Sequence, residues 1–281
     1  MWTRENRSLY ERKGLRYPSD LSDPEWALIA PLIPPAKHGG RKREVDVREV
    51  LNGILYVLGT GCQWRALPKD LPPKSTVHNY FTLWEWDGTL ERIHHELYVM
   101  TRELEGREAS PSAGAIDSQS VKSAGKRGAS IDPPGYDAGK KIKGKKRHLL
   151  VDTLGLMLTA VVHPANLQDR DGAVLVLDQR TRRLFPFLQT IFADSAYGGP
   201  KLAKAMAGAT WKIEVVKRPK DQKGFEVLPR RWVVERTIAW INRCRRLAKD
   251  FENLNRSALA FIRLASIRLM LRRLVRYCVP S

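Results

Sequence analysis

Cysteine is scarce, with Cys62, Cys244 and Cys278 the three in 281 residues. An odd number without metal-ligand spacing fits reduced thiols in a cytosolic protein and supports neither a disulfide framework nor a zinc knuckle. Long apolar runs are missing: no stretch of eighteen or more uncharged apolar residues reads as a membrane span. The start, Met1-Trp-Thr-Arg-Glu-Asn6, lacks the apolar core of a signal peptide. The expectation is a cytoplasmic protein with no membrane partner, associated with the nucleoid if its partner is chromosomal DNA. No repeat of 20 to 50 residues is present, so a repeat architecture is not expected.

Negative charge is also short, with 30 Asp and Glu against 49 Lys and Arg and a net charge of +19. So large an excess goes beyond what solubility requires and calls for a polyanionic partner, most simply nucleic acid. The length allows one domain of moderate size with a smaller companion. Residues 1–16 are polar, basic and unpatterned, as in a flexible arm.

Residues 17–105 read as helical. Ser22 or Asp23 caps a short helix with Pro24 in its first turn, ended by Pro34-Pro35. A basic linker, Lys37 to Arg43, leads to a second helix from Asp46 to Leu58. The stretch Gly59 to Pro73 breaks it, and Ser75 is the expected cap of a third helix, Thr76 to Trp86. That helix carries Val77, Tyr80, Phe81 and Trp84 on one side and His78, Asn79 and Thr82 on the other. Helix, turn and helix with a polar outer face suits a reader of DNA with His78 and Asn79 at the duplex, and equally a plain helical bundle. A further helix, Leu90 to Leu104, precedes the polar linker Glu105 to Ser112.

The second part, 113–281, is organised around two similar stretches. Thr190-Ile-Phe-Ala-Asp-Ser-Ala-Tyr-Gly-Gly199 reads as a buried strand ending in Asp194, and Ala113-Gly-Ala-Ile-Asp-Ser-Gln-Ser-Val121 as a strand carrying Asp117. Ligands collect at the carboxyl ends of such strands, although Asp194 equally suits a helix cap. Two strand-borne carboxylates far apart in sequence suggest a shared metal site, since divalent cations such as magnesium take oxygen ligands from several elements. Lys122 to Arg147 is expected as one long loop, with Lys140, Lys141, Lys143, Lys145, Lys146 and Arg147 facing phosphates, or as a solvated charge run. Strands His148–Asp152 and Leu156–His163 form a hairpin. A helix runs from Asp169 or Asp171 to Leu184, and after the Asp194 strand come a helix near 200–207 and a strand Trp211–Val216. One long helix is expected from Pro229 through Leu247, with Arg231, Glu235, Asn242 and Arg246 on its polar stripe. By periodicity alone Glu235 is an ordinary surface glutamate. The last helix, about Ser257 to Tyr277, has an Arg-rich outer face.

Three strands, a helix, the Asp194 strand, a helix, a strand and the Glu235 helix follow the element order of a ribonuclease H-like fold: an α/β mixed sheet flanked by helices, preceded here by a small all-α helix-turn-helix-like domain. The chain resembles the DDE transposases of bacterial insertion sequences, insertion-sequence family five. The matching stretches are Leu21-Ser-Asp-Pro-Glu-Trp-Ala-Leu-Ile-Ala-Pro-Leu-Ile-Pro34, Gly61-Cys-Gln-Trp-Arg-Ala-Leu-Pro68, Ala115-Ile-Asp-Ser-Gln-Ser-Val-Lys122, Gly135 to His148, Phe192-Ala-Asp-Ser-Ala-Tyr-Gly198 and Val234 to Leu247. The resemblance implies that Asp117, Asp194 and Glu235 are the catalytic, metal-holding carboxylates, with two magnesium ions for which manganese can substitute. Related families place a Tyr, an Arg, the Glu and a Lys at fixed spacing on the glutamate helix. Here Arg231 matches the Arg, Leu228 stands at the Tyr position and Asn242 at the Lys position, so that holding DNA passes to Arg243 or Arg246. The implied partners are double-stranded DNA, as terminal inverted repeats and target, and a second copy in a homodimeric synaptic complex. Two other readings are a ribonuclease H-like endonuclease without strand transfer and a DNA-binding protein with a decayed site.

Overall fold

The computed structural model describes residues 12, 14–36, 39, 42–126, 128, 130–207, 211–216 and 231–278. Most of the basic arm, Leu228, and Lys37, His38, Gly40 and Arg41 of the linker lie outside the described residues.

The front of the chain forms helices α1 (Asp23–Ile29), α2 (Val47–Thr60), α3 (Lys74–Trp86) and α4 (Thr89–Leu104). A capping box starts α1: the Ser22 hydroxyl accepts from the Glu25 N–H, and the Glu25 carboxylate accepts from the Ser22 N–H at 2.8 Å. Asp46 caps α2 by accepting the Arg48 N–H at 2.8 Å, and Gly61, at φ 71°, ends it in the left-handed conformation. Helix α3 begins two residues earlier than expected, with Pro73 rather than Ser75 as its N-cap. The proline carbonyl accepts the Val77 N–H at 3.1 Å, so no side-chain cap is required there.

The apolar stripes of these helices meet in one core with the last helix, α9 (Asn255–Cys278). Phe261 stacks on Phe81 with ring centroids 4.7 Å apart, and His94 shares a 3.1 Å hydrogen bond with Ser266. Ion pairs Arg256–Glu85 at 2.7 Å and Arg273–Glu105 at 2.9 Å flank that seam. Each fully buried side chain of this size contributes about 1.5–3 kcal/mol, so burial of Phe261, Ile262 and Leu264 outweighs the flanking pairs, worth about 1 kcal/mol or less each.

Strands β1 (Ala113–Lys122), β2 (Gly135–Asp137), β3 (Ile142–Asp152), β4 (Met157–Pro164), β5 (Thr190–Ala193) and β6 (Lys212–Val215) form one sheet ordered β2-β3-β1-β5-β6, with β4 also on β3. β3 is antiparallel to β1 and β4, while β5 is parallel to β1 and β6 to β5. A three-strand antiparallel meander followed by two parallel strands is the ribonuclease H-like sheet. Helices α5 (Asp169–Val176), α6 (Gln179–Leu184), α7 (Pro200–Ala205) and α8 (Trp232–Ile241) connect and cover it.

The structure corrects two expectations. The basic loop does not extend to Arg147, because β3 starts at Ile142 and pairs with β1 on one side and with β2 and β4 on the other. Only glycine fits at 144, where a Cβ would stand 1.9 Å from the Val121 carbonyl oxygen. The glutamate helix stops at Ile241, and a 3-10 turn, Arg245–Leu247, follows it. The break turns Arg246 inward to Glu252 at 2.6 Å and to the Cys62 carbonyl at 3.1 Å, whereas a continued helix would leave it on the polar stripe.

Candidate active site

β1 and β5 run side by side, with Ala113 opposite Thr190, Gly114 opposite Ile191 and Ala115 opposite Phe192. The same offset of 77 separates Asp117 from Asp194, each two positions beyond the last paired residues, Ala115 and Phe192. Neighbouring strands lie about 4.8 Å apart. Asp194 follows the last residue of β5 and also caps the Ser195–Tyr197 turn, with Oδ1 accepting the Ala196 N–H at 2.8 Å. The strand-end reading therefore holds, whereas Asp194 caps this turn and not the helix beginning at Pro200, whose N-cap is Gly199.

Asp117 is held by the Ser118 N–H, 2.7 Å from its Oδ1. Burial pushes its pKa up to about 6; the Ser118 N–H opposes this, the Asp194 charge adds to it, and Arg231 and Lys140 pull it down. Glu235 lies in the first turn of α8, which packs on β1 and β3. Thr237 fixes the helix by donating to the Gly155 carbonyl at 2.7 Å, and Arg236 donates to the Leu154 carbonyl at 2.9 Å. Arg231 pairs with Glu235 and also feels the charges of Asp117 and Asp194. The Asp194 charge acts on Asp117, and Arg231, paired with Glu235, feels both aspartates.

Beneath Asp117 lies a polar network that pattern reading missed. Ser118 donates to Asp169 at 2.8 Å, and Lys146 reaches Asp169 at 2.9 Å and Asp137 at 3.4 Å. His148 Nδ1 is 2.9 Å from the Tyr197 hydroxyl, whose pKa is raised by burial first and by Asp117 and Asp169 next. Burial alone would raise Asp169, but hydrogen bonds from Lys146 and Ser118 and the Lys146 charge bring it below its usual range. Tyr197 stands three residues after Asp194, a spacing one 3-10 turn folds back toward β1. That was the available signal; Asp169 read only as a helix start.

The residues expected to touch DNA divide into two groups. His78 and Asn79 are exposed on α3, with His78 edge-on to Trp64 at 5.0 Å between centroids. Lys140, Lys141 and Lys143 are exposed, and Lys140 Nζ lies 3.2 Å from the Ser118 carbonyl. Arg243 is exposed and has no ion pair among the described residues. Lys145, Lys146 and Arg147, by contrast, are only 1%, 5% and 2% exposed. Lys145 donates to the Asp132 and Pro133 carbonyls and to Asn255, and Arg147 to the Leu247 carbonyl at 2.7 Å. These three and the inward Arg246 have their charges engaged inside the fold, which corrects their placement on a phosphate-facing surface. Asn242 is half-buried, and its Oδ1 has no hydrogen-bond partner among the described residues.

Asp117 and Asp194 suit a hard divalent cation. Both are oxygen donors outside any ion pair among the described residues, and their mutual repulsion is a cost that a cation relieves. Glu235 is paired with Arg231. Among the described residues no group of three or more His, Cys, Asp and Glu is already gathered as a metal cage.

Comparison with known proteins adds three findings. Residues 108–270 match the family "Transposase DDE domain", and residues 21–94 match "Putative transposase of IS4/5 family". Two proteins of Burkholderia cepacia are similar. The "Insertion element IS402 uncharacterized 16.2 kDa protein" is 35% identical over 111 residues, 37% of this chain and 74% of that protein. The "Putative transposase for insertion sequence element IS402" is 30% identical over 115 residues, 39% of this chain. The chain spans 54% of the length of that second relative. Among solved structures, the "Mos1 transposase paired-end complex with left transposon end" aligns at a TM-score of 0.25 and 12% identity, over 64% of this chain and 61% of that one. No helix among the described residues is long and apolar enough to cross a membrane.

Proposed function

We infer the function from one premise: the chain belongs to the transposase DDE domain family, with a front segment of the IS4/5 kind. We propose that it binds the terminal inverted repeats of an insertion sequence as double-stranded DNA and cuts phosphodiester bonds there. It then joins the freed 3' ends to target DNA, acting as a homodimer across the paired ends. The observation that supports this reading is the parallel pairing of β1, which carries Asp117, with β5, which Asp194 follows, together with Arg231, which pairs with Glu235 and feels the charges of both aspartates.

Divalent ions, a magnesium pair or manganese in its place, when held by Asp117, Asp194 and Glu235, supply Lewis-acid stabilisation of the attacking and leaving oxygens. The chain's own residues do the rest. Arg231 pairs with Glu235 one helical turn away, feels the charges of both aspartates and offers a planar cation, a geometry suited to two phosphate oxygens at once. Ser118 and Tyr197 hold β1 and the Asp194 turn in fixed relation, since Tyr197 sits over both Ser118 and His148. Such positioning, kept within a fraction of an ångström, is worth several kcal/mol in a transfer between bound groups. Lys140, beside Ser118, and the exposed Lys141 and Lys143 hold the backbone without reading sequence. The exposed face of α3, with His78 and Asn79, reads the repeats in the major groove.

A labelled duplex ending in the element's terminal repeat, mixed with a plasmid target and magnesium, tests the proposal. Label covalently joined to the plasmid is expected. Nicked duplex with no joined product would reassign the protein as a hydrolytic nuclease.

A further inference from the structure

A second basic feature lies away from the carboxylates, between α8 and α9. A cavity of about 550 Å³ there is walled by six arginines, Arg236, Arg243, Arg268, Arg272, Arg273 and Arg276. Its floor is apolar, from Leu156, Leu269 and Met270, and the β3–β4 turn at Leu154 and Gly155 closes one end. Arg236, Arg243, Arg268 and Arg272 form no ion pair among the described residues. Arg273 pairs with Glu105 at 2.9 Å.

The groove holds its cations in place with donors left over. The Arg236 guanidinium is clamped between Trp232 and Trp240, 4.4 and 4.6 Å from their ring centroids. Arg268 and Arg272 each reach the Pro18 carbonyl at 3.4 Å. The Nε atoms of Arg236, Arg268 and Arg272 are buried without a hydrogen-bond partner among the described residues, a state that is costly when nothing accepts. Crowding shows in the titration as well: burial first, then Arg268 and Arg12, brings Arg272 down to about 10, and burial with Arg273 lowers Arg236. Gathering so many guanidiniums on an apolar floor raises the energy of the free protein. A ligand with several negative oxygens removes that cost, and planar guanidiniums match phosphate oxygens in pairs.

We propose that the groove between α8 and α9 is a phosphate-binding site for the backbone of duplex DNA, separate from the carboxylate site; this rests on the chain being a DNA-cutting transposase. Placement favours a backbone over a free nucleotide. The register partner of Asp117 is Leu149, and the turn that closes the groove lies five to six residues further along β3 and just beyond it. β3 ends at Asp152, so the extended part of this path is roughly 10 Å at about 3.4 Å per residue, a span of about three base-pair steps. One duplex lying along α8 can therefore engage Arg231 at one end of the helix and the groove at the other.

The test measures the salt dependence of duplex binding by the full-length protein carrying Arg243→Gln, Arg268→Gln and Arg272→Gln together. Each lost phosphate contact removes about 0.9 from the slope of log affinity against log salt. A drop of about 2 to 3 is expected, equal on repeat-containing and unrelated duplexes. A control replaces the exposed Arg107, Arg182 and Arg183 by Gln, removing the same charge outside the groove. An unchanged slope in the groove variant, or an equal drop in the control, overturns the proposal. Arg243→Gln alone, at an exposed position, should lower the slope by about 0.9 and keeps the test valid if the triple variant unfolds. If ATP binds the groove, is lost in the triple variant and leaves the DNA slope untouched, the site belongs to a free nucleotide and the proposal falls. Absence of duplex binding by the unsubstituted protein would instead overturn the transposase reading itself.

Discussion

At the scale of single residues, Asp117 concentrates the tension between stability and function. Its pKa, raised to about 6 from 3.8 mainly by burial, means the folded chain binds a proton that the unfolded chain has released. That stabilisation is complete below about pH 3.8 and is lost as pH rises through 6, so at neutral pH the ionised carboxylate weakens the fold. Asp117→Asn should raise stability at pH 7.5, in chelator, by on the order of 2–3 kcal/mol while abolishing DNA cleavage. Urea melts of the two proteins check this, and the gap should vanish near pH 4. Both aspartates were legible in the sequence because an apolar run ending in a carboxylate has few structural readings. Tyr197, His148 and Asp169 were not, because hydrogen bonds between strands and turns leave no period along the chain. Glu235 carried no signal of its own, since an i,i+4 pair with Arg231 is also what an ordinary surface helix shows.

At the scale of elements, boundaries set by local chemistry were legible and those set by tertiary pairing were not. The cap at Ser22, one of the two residues expected there, and the start of α2 at Asp46 follow from neighbouring residues, whereas α2 runs past its expected end at Leu58 to Thr60. The start of β3 depends on partners on both sides, and its Lys-Gly-Lys-Lys-Arg sequence has the composition of a solvated loop. Burial of Lys145 and Arg147 follows from carbonyls supplied by distant segments. Packing between elements makes a sharp prediction at Gly172 on α5, where a Cβ would lie 2.2 Å from His148 Nε2. That ring is stacked on His163 at 4.9 Å between centroids and cannot swing away. Gly172→Ala should cost about 1–3 kcal/mol, read as a lower urea midpoint with an unchanged denaturant slope. For α3 the expected outcome concerns recognition. His78→Ala with Asn79→Ala should shrink the footprint on terminal repeats and leave affinity for unrelated duplex unchanged, whereas full protection of the repeats would make α3 a packing helix only. Substitution suits this test better than deletion, since α9 shares its core with the front helices.

At the scale of the whole molecule, the net charge of +19 pointed to a polyanion, but the composition could not say where the charge gathers. The arginine groove draws on α8, α9 and the turn after Asn242, elements that only the fold brings together. The same closure of α9 on α4 buries His94, whose pKa falls to about 3 through burial first and Arg263 next; His148 falls to about 3 through burial and His163. Unfolded histidines titrate near 6.5. Below that pH the unfolded chain binds protons that the folded chain refuses, so stability is complete above 6.5 and declines as pH falls toward 3, by about 1.4 kcal/mol per pH unit for each histidine. Melts between pH 7.5 and 5 should show the loss, and His94→Gln should reduce its slope by one histidine's share. The central claim, that Asp117, Asp194 and Glu235 act as one metal-dependent site for cutting DNA, is tested most directly by magnesium-dependent nicking of a repeat-carrying duplex. Groups acting as a unit are strongly non-additive. Asp117→Asn, Asp194→Asn and Glu235→Gln should each lower the rate by about a thousandfold or more, and the triple variant should be no slower than the slowest single one. Wild-type nicking by any one of the three, or losses that multiply in the triple variant, would contradict the account.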